Sequence, residues 1–264
     1  MKSNMKVGRI QPDNKKFIEI KNEFEQAMNE IKPEVGLKNI EKFKERYQEA
    51  FDKMIAFPRL TYGNKKVPKT TAVVNTTSWF LCPGRLQNFC EIKEICYDKC
   101  REVMSSACKS RLNHDLWWRV NDAESIGNYI AREINLHNMM VPEKQVNLVR
   151  FQEVGEFRNQ EDLQKMVDVS NIIYSLTNYK VESYTYTHNK DLDFSIDRPH
   201  LCICGSNFMV DNKFSAIPKD EYEEYVKNDK CFECPGACEK CSTICSTKLG
   251  IEIAEVLRND ARKS

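Results

Sequence analysis

The residues best equipped for chemistry in this sequence are its cysteines. Twelve occur in 264 residues, five between Cys82 and Cys108 and seven between Cys202 and Cys245. Thiols used as core filler would be spread along the chain. Two clusters flanking a thiol-free stretch read instead as ligand sets that the fold brings together. The C-terminal run, CFECPGACEKCSTIC, holds Cys231, Cys234, Cys238, Cys241 and Cys245, separated by two, three, two and three residues. Zinc also uses C-x2-C pairs, but its two knuckles are usually parted by a longer connection. The short gap here suits a chain wrapped around an iron–sulfur cubane, as in the dense runs of bacterial-type ferredoxins. Pro235 and Gly236 favour a tight loop over a continuous helix. Five thiols exceed the four corners of one cubane, so one is spare or ligates something else.

The upstream run, CPGRLQNFCEIKEICYDKC, supplies Cys82, Cys90, Cys96 and Cys100 at intervals of seven, five and three residues. Those intervals are irregular, yet four thiols suffice for a second tetrathiolate site. A radical-SAM signature needs C-x3-C-x2-C; Cys96 and Cys100 supply the first interval, but Val103 stands where the third cysteine belongs. That counts against the standard chemistry in which three thiolates leave one iron open. Cys202 and Cys204 point to one face if they lie in a strand, as a ligand pair, as support to one, or as buried thiols. Cys108 has no partner at ligand spacing.

Outside the thiols, Arg150, Glu153 and Glu156 surround the exit of an expected strand, and Thr185 to His188 stand at the exit of the next. Ligands in parallel sheets meet the carboxyl ends of strands, so Arg150, Glu156 and His188 are the candidate catalytic residues. Surface charge accounts for Glu153 and Glu156 equally well. His114, His137 and His200 read as structural or surface residues, and no histidines form an H-x3-H pair. No Walker, G-x-G-x-x-G or G-x-S-x-G motif occurs. Trp117 and Trp118 beside Arg119 could stack on a base or anchor a core.

The elements that must position these groups follow from periodicity. Phe17, Ile20, Phe24, Met28 and Ile31 recur at helical spacing, as do Ile40, Phe43, Tyr47, Phe51 and Met54 after a break at Pro33–Gly36. The expectation is an N-terminal helical hairpin. Val73 and Val74 among threonines suit a short strand leading to Cys82. A helix is expected from about Asp122 to Leu136, then a strand at Asn147–Phe151, a helix at Glu161–Leu176 and a strand at Val181–Thr187. Strand, helix, strand makes a βαβ unit with a parallel sheet and a right-handed crossover. Asp191–Ser195 and Leu201–Cys204 are candidate further strands.

Apolar residues at 41%, with only 9 Gly and 9 Pro, exclude a collagen-like or disordered chain. Forty basic against thirty-nine acidic side chains leave +1, so no global footprint for nucleic acid exists. A local basic excess lies in residues 1–70, with 16 basic and 10 acidic side chains. No stretch is long and apolar enough to span a membrane, and the N-terminus has no apolar signal region. The expected location is the cytoplasm, where clustered cysteines read as metal ligands or reactive thiols.

In order along the chain stand CPG…C…CY, VRFQEVGEF, SYTYTHN, DFSIDRP and a terminal C-x2-C run. This ordering resembles the phage and mobile-element family called gene product 88, over roughly residues 70–245. Matched by position, Cys82, Cys90 and Cys96-Tyr97 fall on its upstream cysteines, and Gly155-Glu156-Phe157 on its GDF element. Tyr184–Thr187 falls on its YAYT strand, Phe194-Ser195 and Arg198 on its next element. Cys231, Cys234, Cys238 and Cys241 fall in its closing run. The resemblance implies a fold distantly related to partial (β/α) barrels of the radical-SAM kind, and a host cytoplasm if the gene is phage-borne.

The expectation is therefore an α/β protein, a partial (β/α) barrel or open parallel sheet, in three parts. These are a helical appendage at 1–60, an α/β core at 61–215 and a cysteine-rich lobe at 216–264. One or two 4Fe–4S clusters would be held by Cys82, Cys90, Cys96, Cys100, Cys231, Cys234, Cys238 and Cys241, with Cys245 a further metal ligand. Whether such a protein is an enzyme stays open at this point; if it is one, the chemistry would be redox or radical-SAM-like, on a small molecule. The alternative is a binding module, stapled by zinc or a cluster, whose partner is nucleic acid or a host protein. Trp117–Arg119 and the basic N-terminus motivate that second reading.

Overall fold

The computed structural model describes residues 15–30, 41, 44–45, 48, 60–91, 96, 105–228, 231–241 and 243–257. Helix α1 (Lys15–Glu30) turns Ile20, Phe24 and Ala27 onto a cluster formed with Trp79, Phe80, Leu81, Leu112 and Leu116. The expected stripe is thus a packing face. Most of the second hairpin helix, at 40–54, lies outside the described residues.

After β1 (Thr61–Tyr62) and β2 (Thr71–Val74), the chain makes a short helix α2 (Pro83–Leu86) and two long ones, α3 (Ser105–Val120) and α4 (Ala123–Met140). Asp122 caps α4, its side chain accepting a hydrogen bond from Ser125 N. The expected βαβ unit follows as β3 (Leu148–Phe151), α5 (Gln160–Leu176) and β4 (Glu182–Thr187), with β3 and β4 parallel. Asn159 caps α5. Then come β5 (Leu201–Ser206), β6 (Asn212–Ile217), α6 (Lys219–Asn228), β7 (Phe232–Glu233) and β8 (Glu252–Val256). No described helix is long and apolar enough to cross a membrane.

The strands form one open sheet in the order β1-β2-β3-β4-β5-β6-β8-β7, parallel throughout except for the β1–β2 pair. The open-sheet form of the expected α/β fold is the one found. Strands β5 and β6 run parallel although only five residues join them. They overlap for just three residue pairs, Cys204–Asn212 to Ser206–Phe214, so the chain need not travel back along a whole strand.

Alternation along the strands assigns the two faces. Ala72, Val74, Val149, Phe151, Leu201 and Ile203 pack under α3, α4 and α5, in a core with Trp117, Trp118, Ile130 and Met166. The other face presents Tyr184, Cys202 and Cys204, covered by Cys245 and Ile253 from the C-terminal stretch. Asp191–Ser195 is not a strand. Asn189 Oδ1 accepts from Asp191 N and Asp193 Oδ1 from Ser195 N, local bonds that fold the segment into turns.

Helices α4 and α5 pack tightly at Gly127, where an added Cβ would sit 2.6 Å from Ile172 Cγ2. Gly127→Ala gains roughly 1 kcal/mol of helix propensity, while overpacking costs about 1–3 kcal/mol. We expect the variant to be less stable than the parent in urea unfolding; a more stable variant would contradict the close approach.

Candidate functional site

The carboxyl end of β2 feeds a fully buried stretch, Asn75 to Leu81, that delivers Cys82 to the sheet edge. Cys82 occupies the N-cap position of α2, and Pro83 fills the first helical position, where a missing N–H costs nothing. Gly84 then lets the chain fold on itself, its carbonyl accepting from Cys90 N at 3.1 Å. A Cβ on Gly84 would lie 3.0 Å from Cys90 Cβ and 3.8 Å from Cys82 Sγ. The CPG motif therefore gathers the first two cysteines around one glycine.

The loop after β3 lies against this stretch. Gly155 has φ +108°, and a Cβ there would meet Thr77 Cγ2 at 2.2 Å, so no other residue fits without displacement. Behind it, buried Asp115 accepts from Thr77 Oγ1 at 2.8 Å and pairs with Arg158 at 2.5 Å. Gln152 adopts φ 52° while almost fully buried, held between Thr76 and Thr185 by its side-chain amide. Strained backbone of this kind persists where surrounding bonds over-determine it.

Glu156 follows in this loop. Its carboxylate is buried and accepts from Phe157 N (2.8 Å), Thr187 Oγ1 (2.6 Å) and His188 N (2.6 Å). Burial pushes its pKa up to about 7, against the pull of those donors. His188 Nδ1 stands 4.0 Å from Glu156 Oε2, and burial lowers the imidazole's pKa. A carboxyl poised near neutrality beside a neutral imidazole can hold or pass a proton.

On the open face, Arg150 lies over Tyr186, its guanidinium carbon 5.4 Å from the ring centroid, and its Nε is buried without a hydrogen-bond partner. The Tyr184 hydroxyl is likewise buried and unpartnered. The C-terminal run is tied over this face by backbone bonds. Cys234 N donates to Ala254 O of β8 and Cys238 N to Lys66 O. Thr243, buried at φ 57°, turns the chain between Cys241 and Cys245.

These pieces enclose one cavity of about 260 Å³. Cys82, Cys90 and Cys96 border it from the upstream run, and Cys234, Cys238, Cys241 and Cys245 from the terminal run. Arg150, Glu156 and His188 border it too. The expected convergence of distant thiols and the three expected polar residues thus meets in one place. Cys231 lies outside the lining, at the start of β7, and Cys100 lies outside the described residues. The ten cysteines whose side chains are described are all free thiols. Among the described residues no group of three or more His, Cys, Asp or Glu side chains is gathered tightly enough to hold a single metal ion.

Burial raises the pKa of Cys82, with Glu156 and Cys96 adding to the effect. It pushes Cys234 up to about 11 and raises Cys238, the latter against the pull of Arg150. Such thiols are protonated near neutrality and inert as nucleophiles; a bound cation is what would strip their protons. Sequence reading placed Tyr186 at this strand end but missed Gln152 and the Lys66–Glu255 ion pair (2.7 Å) at the cavity rim. Nothing in their spacing marks them, since each acts through a backbone placement set by another element. Trp117 and Trp118 are buried in the core, and Arg119 is paired with Glu23 at 2.6 Å, so this trio offers no surface for stacking on a base.

The raised carboxyl makes a prediction with a definite sign. An ordinary Glu ionises in the unfolded chain at about 4.5, whereas folded Glu156 ionises at about 7. Its neutral form is therefore favoured in the fold, and that stability is lost as pH rises through 7. The stability of the parent relative to Glu156→Gln should fall between pH 5 and pH 8 by up to about 3 kcal/mol, at 1.36 kcal/mol per unit. Urea unfolding of both proteins across that range measures it; a flat difference would contradict the buried carboxyl.

The family model described as Gene product 88 matches residues 34–203. No curated protein and no solved structure matches the chain. The matched segment begins further upstream than the motif resemblance and stops at Ile203, short of the terminal thiols; it includes Cys82, Cys90, Cys96, Arg150, Glu156 and His188. The chain belongs to the gene product 88 family.

Proposed function

We propose that the cavity holds an iron–sulfur centre of the 4Fe–4S type and that the protein uses it on a small anionic molecule in the cytoplasm, a host's if the gene is phage-borne. The observation that carries this reading is the convergence of Cys82, Cys90 and Cys96 with Cys234, Cys238 and Cys241 on one cavity, from stretches more than a hundred residues apart. The donor set is all sulfur, which selects soft metals and iron–sulfur clusters over magnesium or calcium. A single zinc draws four sulfurs to about 2.3 Å from one point. A cubane spreads its ligands over four irons, which suits thiols ranged around a cavity wall rather than clenched together. Six such thiols fill the four corners of one cluster with two to spare, and a second cluster would need ligands beyond them. Cys231 lies off the cavity, and Cys245, also in its wall, is a further thiol beyond this set.

When bound, the cluster would supply one-electron chemistry. The chain's own residues provide the rest. Arg150, with an unsatisfied buried Nε, would bind an anionic group. Glu156, held near neutral pKa, would move a proton, and His188 would support it from the adjoining strand end. The buried Trp117–Trp118 pair leaves the nucleic-acid reading without its main support.

Purification without oxygen, followed by iron and acid-labile sulfide assays, tests the proposal. We expect a brown protein with about four irons and four sulfides per cluster, and a loss of both in Cys82→Ser and in Cys238→Ser. A colourless protein carrying stoichiometric zinc and no sulfide would overturn it.

A further inference from the structure

The two ends of the sheet meet at the cavity through one residue. Lys66 lies in the loop joining β1 to β2, at one end of the strand order, and Glu255 lies in β8, near the other. Laid flat, β2 and β8 would stand five strand spacings apart, about 24 Å. A lysine and a glutamate meeting head to head bridge roughly half of that. Yet Lys66 Nζ is 2.7 Å from both carboxylate oxygens of Glu255. The sheet therefore curls around the cavity until its ends face each other. Among the described strands no ladder closes the ring. The gap is spanned by that ion pair and by one backbone bond, Cys238 N donating to Lys66 O at 2.9 Å.

The two sides of this seam are held differently. On the Lys66 side, the backbone N–H groups of Lys66 and Val67 both donate to Asn64 Oδ1, at 2.8 and 2.9 Å. Asn64 Nδ2 donates to Glu153 Oε1 at 2.6 Å, and Val67 is buried. That loop is a fixed post. On the other side, the terminal run leaves the two-residue strand β7 and crosses the cavity with a single 3-10 turn, Cys238–Lys240. The Lys66 side chain is 32% exposed, so salt reaches the ion pair. Ion pairs open to solvent hold weakly, and a contact of this kind breaks and remakes readily.

We infer that this seam is the way into the cavity: the terminal run parts from Lys66 and recloses, with the Lys66–Glu255 ion pair as its latch. Lys66, Glu255, Cys234 and Cys238 all border the cavity, so parting them opens its wall directly. An opened latch also frees the Lys66 ammonium as a first contact for an entering anion, with Arg150 on the same cavity wall. That anionic guest rests on the function proposed above; the seam does not.

Hydrogen exchange of the full chain as purified, read by mass spectrometry at low and high salt, measures the opening. Alkylation by iodoacetamide, whose approach is insensitive to salt because it is neutral, measures access to Cys234, Cys238 and Cys241. On protein that carries iron, release of iron to a chelator replaces the alkylation, so the absence of a cluster leaves the seam testable. We expect exchange across 234–241 and access to rise together, about two- to fivefold, in Glu255→Gln and in the parent at high salt. Glu255→Gln should lose the salt response, and Lys66→Arg, which keeps the pair, should retain the parent's rates. Strand β5 (Leu201–Ser206) should exchange unchanged throughout. The parent's salt response decides the matter even if a variant fails to fold. Rates indifferent to salt and to Glu255, an equal rise in β5, or faster exchange without faster access would overturn the inference.

Discussion

The pairing of β8 with β6 folds the chain's end back across its own sheet, and the site depends on it. Lys213 to Ile217 run beside Glu252 to Val256 as a five-residue parallel ladder, and β7 adds to the far side of β8. Everything between β7 and β8, including Cys234, Cys238, Cys241 and Cys245, must then cross the open face. Without that ladder the terminal thiols would have no fixed relation to Cys82, Cys90 and Cys96. Cys234 N donating to Ala254 O and Cys238 N donating to Lys66 O set the height of the crossing.

The sheet separates two kinds of interior. Under the helices, branched and aromatic side chains fill a dry core, where Trp118 Nε1 donates to Asp162 Oδ1 at 2.7 Å. Over the opposite face, Arg150, Tyr184, Tyr186, Asn212 and the thiols make a polar, polarizable surface. Between them, at the strand ends, hydroxyl and amide groups of Thr76, Gln152, Thr185 and Thr187 bond one another and Glu156. A buried polar layer is stable only if its bonds are satisfied, so this one holds Glu156 and Gln152 in conformations they would not otherwise adopt.

Much of this was legible in the sequence, for reasons that differ by element. The βαβ unit declared itself because β3, α5 and β4 each bury one strongly periodic face. Cys82, Cys90 and Cys96 and the terminal run stood out because clustered thiols are rare outside metal or redox sites. Helix α3 went unread because Arg111, Asn113, His114 and Asp115 are buried alongside Trp117 and Trp118, erasing any amphipathic stripe. Strands β6 and β8, reading NKFSAI and EIAEV, mix charges with short apolar pairs and gain their stability from pairing rather than pattern. Asp191–Ser195 looked like a strand by composition, yet its Asp and the preceding Asn bond their own backbone. The placement of Cys245 beside Cys202 and Cys204 depended on β5 and the Ile244–Ser246 turn meeting across the sheet, which spacing does not encode.

Iron-edge X-ray absorption of the anaerobically prepared protein tests most directly whether both stretches of chain grip one centre. The account predicts iron surrounded by sulfur with iron–iron scattering beyond it, and a first shell that changes when either an upstream or a terminal thiol is replaced by serine. An oxygen- or nitrogen-rich shell, or a sulfur shell indifferent to one of the two stretches, would contradict it.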